Sequence, residues 1–350
     1  MKKANLKKRP GAGRVSKNML TVAMVAVLYA LVCGLVYGGS ASRQLTNMLI
    51  SGSCYIVLAV SLNLVVGLLG ELSLGHAGFM SVGLFSGCLL SIRLAQALPA
   101  LPLVVRLPVS MLFGGLCAAA VGLLVGLPAL RLNGDYLAIV TLACGEIIKS
   151  VITNLKVTGG ALGLNTGDIY SNTKTLLPYA IVLVFLTVLL MMNLKRSRYG
   201  RAIMAIRDNR IAAEACGIHV TWFKLIVFVI AAFFAGAAGT LYGHSFANIK
   251  ATTFDYNMSI EILVIVVLGG MGSVRGSIIA AIVLKALPEL LRDFADYRML
   301  AYSVLLIVIM LLNASPRFAE LRGHWTISNV AAQLKKKKAA RAAASGGASK

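Results

Sequence analysis

The sequence predicts an all-α fold, a polytopic transmembrane helical bundle of about 8–10 membrane segments with both termini cytoplasmic. Three observations carry that reading. Of the 350 residues 58% are hydrophobic, at a mean hydropathy of +0.83; the apolar residues fall in long runs; and Lys and Arg collect between those runs. A soluble domain keeps a polar exterior, which 13% charged residues cannot supply. A helix needs roughly 20 apolar residues to cross the bilayer core. Lipid offers backbone polar groups no partners, so each run must be a helix.

The elements follow in order. After a basic stretch, residues 19–37 are apolar and precede the small residues Gly39, Ser40, Ala41 and Ser42. A cleaved leader has that form, but the run is long and further runs follow at once, so it reads as an uncleaved first span. Spans at 47–66, 74–92, 109–130, 136–155 and 176–194 bring the count to six before a basic loop at 195–224. Runs at 225–247, 260–272, 277–291 and 300–313 follow, and 260–272 is short enough to be a broken or re-entrant segment. The implied organisation is a basic cytoplasmic N-terminus (1–18), a membrane domain (19–315) with one cytoplasmic loop (195–224), and a basic tail (316–350). The tail's Lys, Ala, Ser and Gly bury nothing and predict disorder, with anionic lipid headgroups as its natural contact.

The net charge of +22 raises the question of nucleic acid, but the distribution excludes it. The basic clusters at 2–17, 195–224 and 317–350 are separated by apolar spans, the pattern of the positive-inside rule. With both termini inside, 24 of the 34 Lys and Arg lie on the cytoplasmic side, which fixes the orientation. The six cysteines (Cys33, Cys54, Cys88, Cys117, Cys144, Cys216) form no CxxC or Cys/His cluster, so they read as packing residues and no metal site is expected. Small residues recur every four positions at Gly114, Ala118, Gly122 and Gly126, at Ala235, Gly239 and Gly243, and at Gly83 and Gly87. Such rows let helix backbones approach closely and predict a tightly packed bundle.

Polar residues inside apolar runs mark the candidate pathway. Asn63, Glu71, Ser73 and His76 share one stretch that Gly67, Gly70 and Gly75 interrupt. A broken helix there would turn polar groups toward a route for solute, though Asn63 and His76 could equally tie helices together. Thr141 and Glu146 form a second group; Asp135 suits a helix start, and Lys149 lies one turn beyond Glu146 as an intrahelical partner. Gly159, Gly160, Gly163 and Gly167 sit in a predicted outside loop, either a plain turn region or a contact surface for an external partner. Gly269, Gly270 and Gly272 lack the Gly-Lys-Ser/Thr ending of a phosphate cradle and read as a helix break, as does Gly75. No HExxH, nucleophile elbow or P-loop occurs, so no catalytic residue or cofactor is assigned to this chain, and any ATP hydrolysis would fall to another polypeptide.

The loop at 197–217 is the most specific stretch. Asp208 or Asn209 can cap a short Ala-rich helix over 211–216, and Gly217 suits its C-terminal stop. Such a helix, projecting from the membrane, suits docking into a partner's groove.

With these residues in view the chain resembles ABC permeases, and in detail the branched-chain amino acid permeases of the LivM type. The matching positions are Gly200-Arg201, Ala205 to Arg207, Ala212 to Ala215, Gly217, Lys224 and Ala235 to Gly239. Residues 63–79, 134–146, 158–160, 269–272 and Gly276 match as well. After Gly217 the sequence reads Ile218-His219-Val220-Thr221, where importer loops of the wider class carry Leu-Pro. The resemblance implies a subunit of the bacterial inner membrane, paired with a second related permease and driven by cytoplasmic ABC ATPases that bind ATP. A soluble extracytoplasmic binding protein would deliver leucine, isoleucine or valine. Residues 208–217 would be the coupling helix, with Arg207, Asp208, Asn209, Ala212, Ala213, Glu214 and Gly217 in contact with or shaping the ATPase joint. A urea or short-chain amide permease keeps the class and changes the cargo. An ion-coupled carrier or channel would use Glu146 or Glu71 as its ion-binding carboxylate and leaves the cytoplasmic helix without a role.

Overall fold

The computed structural model describes residues 43–99, 101–132 and 134–290, with the isolated positions Tyr29, Gly34, Ser303, Val304, Ile307 and Leu311. The expected spans at 19–37 and 300–313, and both basic termini, lie outside the described residues. Residues 1–286 form one compact unit and 287–350 a second. Ten α-helices are described: α1 (Arg43–Asn63), α2 (His76–Ala97), α3 (Leu103–Ala129), α4 (Asp135–Asn154), α5 (Thr173–Arg196), α6 (Arg198–Asp208), α7 (Arg210–Ala215), α8 (Val220–Gly243), α9 (Tyr256–Gly269) and α10 (Val274–Leu290). Among the described residues seven stretches are long and apolar enough to cross a membrane, the first being Met48–Leu69 and the last Ala251–Gly269. The chain is thus a polytopic helical bundle.

The predicted spans match these helices closely, with informative exceptions. The span expected at 109–130 is α3, which starts at Leu103 and runs through Pro108, six residues earlier than its apolar core suggests. Asp135 begins α4 as expected, but the capping position is Gly134, whose φ of 62° belongs to the left-handed region that glycine enters without strain. The glycine-rich loop at 158–167 is not wholly irregular: β1 (Leu164–Asn165) pairs antiparallel with β2 (Asn248–Ile249), with Leu164 opposite Ile249.

The core is where α2, α3 and α8 meet, and the small-residue rows make it. A Cβ on Gly83 would lie 2.1 Å from Gly236 Cα, and one on Gly239 would lie 2.2 Å from Met80 O, so these backbones touch. Across the same seam Thr240 Oγ1 donates to Gly83 O at 2.8 Å, and Phe79 meets Phe228 edge to face at 5.3 Å. Where lipid removes the hydrophobic drive between helices, this proximity supplies the van der Waals attraction that holds them.

Candidate functional site

The polar residues gather at one end of the bundle, the end that carries α6 and α7. Helix α1 does not stop at Asn63. It widens into a π-helical turn over Leu64–Leu69 and ends on Gly70 (φ 84°), which donates to Val65 O at 3.1 Å. The break foreseen between Asn63 and His76 is therefore present as residues 70–75, and α2 starts at His76 with Gly75 before it. A Cβ on Gly75 would meet Thr141 O at 2.6 Å, which explains the glycine. A π turn inside an α-helix is uncommon and is frequently found at functional sites.

Each sequence-predicted pathway residue has a defined place. Asn63 is buried; its Nδ2 donates to Ser277 Oγ at 2.7 Å and its Oδ1 accepts from Gly272 N–H at 2.7 Å. It joins the end of α1 to the α9–α10 turn. His76 is buried, its Nε2 lying 2.8 Å from Ser61 Oγ. Thr141 Oγ1 accepts from Leu74 N–H and donates to Ala138 O, both at 3.0 Å, pinning the break onto α4. Ser73 is buried and its hydroxyl has no hydrogen-bond partner. Glu146 stands apart: it pairs with Lys149 as the spacing predicted, and also accepts from Tyr256 N–H at 2.9 Å, at the start of α9. Gly269, Gly270 and Gly272 do form a break. Gly270 and Gly272 have φ of 91° and 79°, and Gly269 lies against the backbone of Gly276 and Ser277.

The basic loop contains two helices, not one. Ser197 caps α6 by accepting from Gly200 N–H at 3.0 Å, and Gly200, Ile203 and Ile206 are buried beneath it. This helix packs on α5, α8 and the π turn. The spacing of Gly200, Ile203 and Ile206, one helical turn apart each time, was the available signal for it. Between α6 and α7, Asn209 rather than Asp208 is the cap, accepting from Ala212 N–H at 3.1 Å. Asp208 ends α6, and its Oδ1 accepts from Arg207 Nε and Nη2, at 3.2 and 2.9 Å. Helix α7 closes with Gly217 (φ 80°): Gly217 N–H donates to Glu214 O at 3.0 Å and Ile218 N–H to Ala213 O at 3.1 Å. Those two bonds are the paired C-terminal stop that glycine permits. Ala213 is buried, whereas Ala212 and Glu214 face outward and Ile211 is 80% exposed.

Basic side chains connect this module to the break. Arg207 Nη1 donates to Gly67 O at 3.2 Å in the π turn, and its Cγ lies where a Cβ on Gly70 would need to be. Lys195 Nζ donates to Gly272 O at 2.7 Å. Lys224 is not a loop cation at all: it lies within α8, buried, and pairs with Glu71 in the break. Sequence reasoning counted it with the loop charges because burial is invisible in a basic run. The same reasoning missed Glu261 and Lys285, paired at 2.8 Å between α9 and α10.

The arrangement joins the exposed helix α7 to a break between two spans, through Arg207 and Lys224, and so suits the transmission of movement. The sequence profile described as the branched-chain amino acid transport system / permease component matches residues 44–314. The chain belongs to this permease family. The permease is 37% identical to the high-affinity branched-chain amino acid permease LivM of Salmonella typhimurium over 289 residues, covering 73% of this chain and 66% of that protein. To LivM of Escherichia coli it is 36% identical over 310 residues, covering 80% and 71%. A probable LivM of Methanocaldococcus jannaschii is 27% identical over 195 residues, covering 51% and 56%. No solved structure matches the permease. It is a multi-pass membrane protein and a transporter membrane subunit.

Proposed function

We propose that the chain is the membrane-spanning permease subunit of an ABC importer for branched-chain amino acids. It forms part of the solute pathway together with a second related permease. Separate cytoplasmic ATPases supply the energy, and an extracytoplasmic binding protein delivers leucine, isoleucine or valine. The observation that carries this reading is α7, a six-residue helix capped at both ends that presents Ile211 and Ala212 outward. A free helix so short does not persist in water, so its complete capping supports a docking role. Seated in an ATPase groove, α7 moves with that partner. Helix α6 and Arg207 carry the movement to the π turn, and the α8 start carries it through Lys224 to Glu71.

Glu146 is held by Lys149 and Tyr256 N–H, and one oxygen of Glu71 by Lys224, its other oxygen having no hydrogen-bond partner. An ion-coupled carrier could use such a carboxylate but leaves the capped, exposed α7 without a role, which favours the ATP-driven reading. The test is reconstitution of the complete assembly with Ile211→Glu and Ala212→Glu in α7. ATP hydrolysis stimulated by the loaded binding protein should become uncoupled from leucine uptake, or the ATPases should dissociate on purification. Uptake at the normal rate with α7 so altered would sink the mechanism.

A further inference from the structure

Three polar side chains meet in the interior of three helices, away from the break. Glu261 is the sixth of 14 residues in α9, Lys285 the twelfth of 17 in α10, and Tyr55 lies near the centre of Met48–Leu69. Lys285 Nζ is 2.8 Å from Glu261 Oε1 and 3.4 Å from the centroid of the Tyr55 ring. The Tyr55 hydroxyl donates to Glu261 Oε2 at 3.3 Å. The Tyr55 ring is buried, while the Glu261 and Lys285 side chains keep 28% and 21% of their surface open.

A helix tie does not account for this cluster. Removing two charges from water costs more than their attraction commonly returns, so a buried ion pair is a poor fastener. Helix α10, which carries Lys285, already has a neutral tie to α1, where Asn63 donates to Ser277. Nor does the open side suit lipid tails, against which exposed charge is costly. It suits a polar solute or the water around one.

Resting on the importer reading above, we propose that Glu261, Lys285 and Tyr55 form a subsite for the zwitterionic head of an α-amino acid in transit. Glu261 and the Tyr55 ring receive the α-ammonium group, and Lys285 receives the α-carboxylate. The empty site is its own counter-ion set. An arriving zwitterion splits one ion pair and makes two, and the net charge at that depth stays zero throughout. An uncharged amide such as urea offers hydrogen bonds to both groups but no counter-charge, so it gains less from parting the pair. The subsite thus favours a solute with both α-groups free and charged over an amide.

The test uses the full assembly in proteoliposomes: this chain, the partner permease, the ATPases and the binding protein. Radiolabelled leucine uptake and ATP hydrolysis stimulated by the loaded binding protein are measured together. Three variants are compared with the wild type: Glu261→Gln with Lys285→Gln, the charge-exchanged Glu261→Lys with Lys285→Glu, and Tyr55→Leu. The neutral pair should assemble and hydrolyse ATP within about twofold of the wild type while uptake falls about tenfold or more. The exchanged pair restores an ion pair of reversed polarity and should not regain uptake. Tyr55→Leu, which leaves both charges, should slow uptake at least about threefold through loss of the cation–π contact. Wild-type uptake by the neutral pair, or by Tyr55→Leu, overturns the proposal. So does full recovery of both accumulation and uptake in the exchanged pair, since the charges would then be a helix tie alone. A wild-type assembly that neither hydrolyses ATP on meeting the loaded binding protein nor moves leucine refutes the importer reading itself.

Discussion

In the α2–α3–α8 core, backbone faces backbone, and the distances that matter are those a missing Cβ allows. At the end carrying α6 and α7 the contacts run from side-chain polar groups to backbone carbonyls and amides: Arg207 to Gly67, Lys195 to Gly272, Asn63 to Gly272. The core has no slack, because glycine faces cannot separate without losing every contact at once. Hydrogen bonds to carbonyls can be exchanged one at a time, for another carbonyl or for water. A membrane protein that must change shape under an external lever gains from placing the first kind of contact in its fulcrum and the second in its moving joint.

Substitutions separate the two regions. The largest effect is expected from Gly83→Leu, whose side chain would need the space of Gly236 Cα. Overpacking on this scale exceeds the usual 1–3 kcal/mol cost, and no monodisperse protein should be recovered in detergent. Recovery with a normal melting profile would mean that the seam has slack after all. Next comes Lys224→Met, which leaves the mostly enclosed Glu71 without its cation at a cost of about 3 kcal/mol. Thermal unfolding should show that loss, and adding Glu71→Gln should restore much of it; a double variant no better than the single would mean that the pair is not the cause. Asn209→Ala removes the α7 cap, worth about 1 kcal/mol to that helix. Its global melting should be unchanged while the ratio of leucine moved to ATP hydrolysed falls. The smallest effect is expected from Arg207→Lys, which keeps the charge and loses the fork. It should leave melting untouched and lower the coupling ratio by less than Asn209→Ala, which sharpens the picture of a joint built from exchangeable bonds.

Much of this was legible in the sequence, for reasons that vary by element. The spans could be read because lipid forces a helix of near-fixed length on every apolar run. The break at 70–75 and the turn at 269–272 were legible because glycines interrupt such runs beside polar residues, Glu71 and Ser73 in one and Ser273 and Arg275 in the other. Helix α7 was legible through Asn209 and Gly217, which act on their own neighbours in the chain. Helix α6 was not recognised, since its basic residues were read as an orientation signal and its buried stripe, Gly200, Ile203 and Ile206, is narrow. The partners of Lys224 and Lys285 were out of reach for a different reason. Glu71 lies 153 positions from Lys224, and which faces of separate helices meet is decided by packing along their whole length. Glu146 shows both cases in one residue: its bond to Lys149 follows from helical spacing, its bond to Tyr256 only from the fold.

The beginning of α9 has one more consequence. Its first amide is received by Glu146, the twelfth of 20 residues in α4, so α9 starts beside the middle of its neighbour and not beside its end. With 14 residues it is roughly 21 Å long at 1.5 Å per residue, against an apolar core of about 30 Å. The stretch Ala251–Gly269 reaches a spanning length only by adding the turn Ala251–Thr253 and the cap Asp255 to the helix. The positive end of α9 therefore lies inside that stretch and not at its edge, with two carboxylates, Glu146 and the capping Asp255, gathered on its first amides. A helix dipole that begins within a span is a fixed source of positive potential there, and these two acids are the groups that answer it.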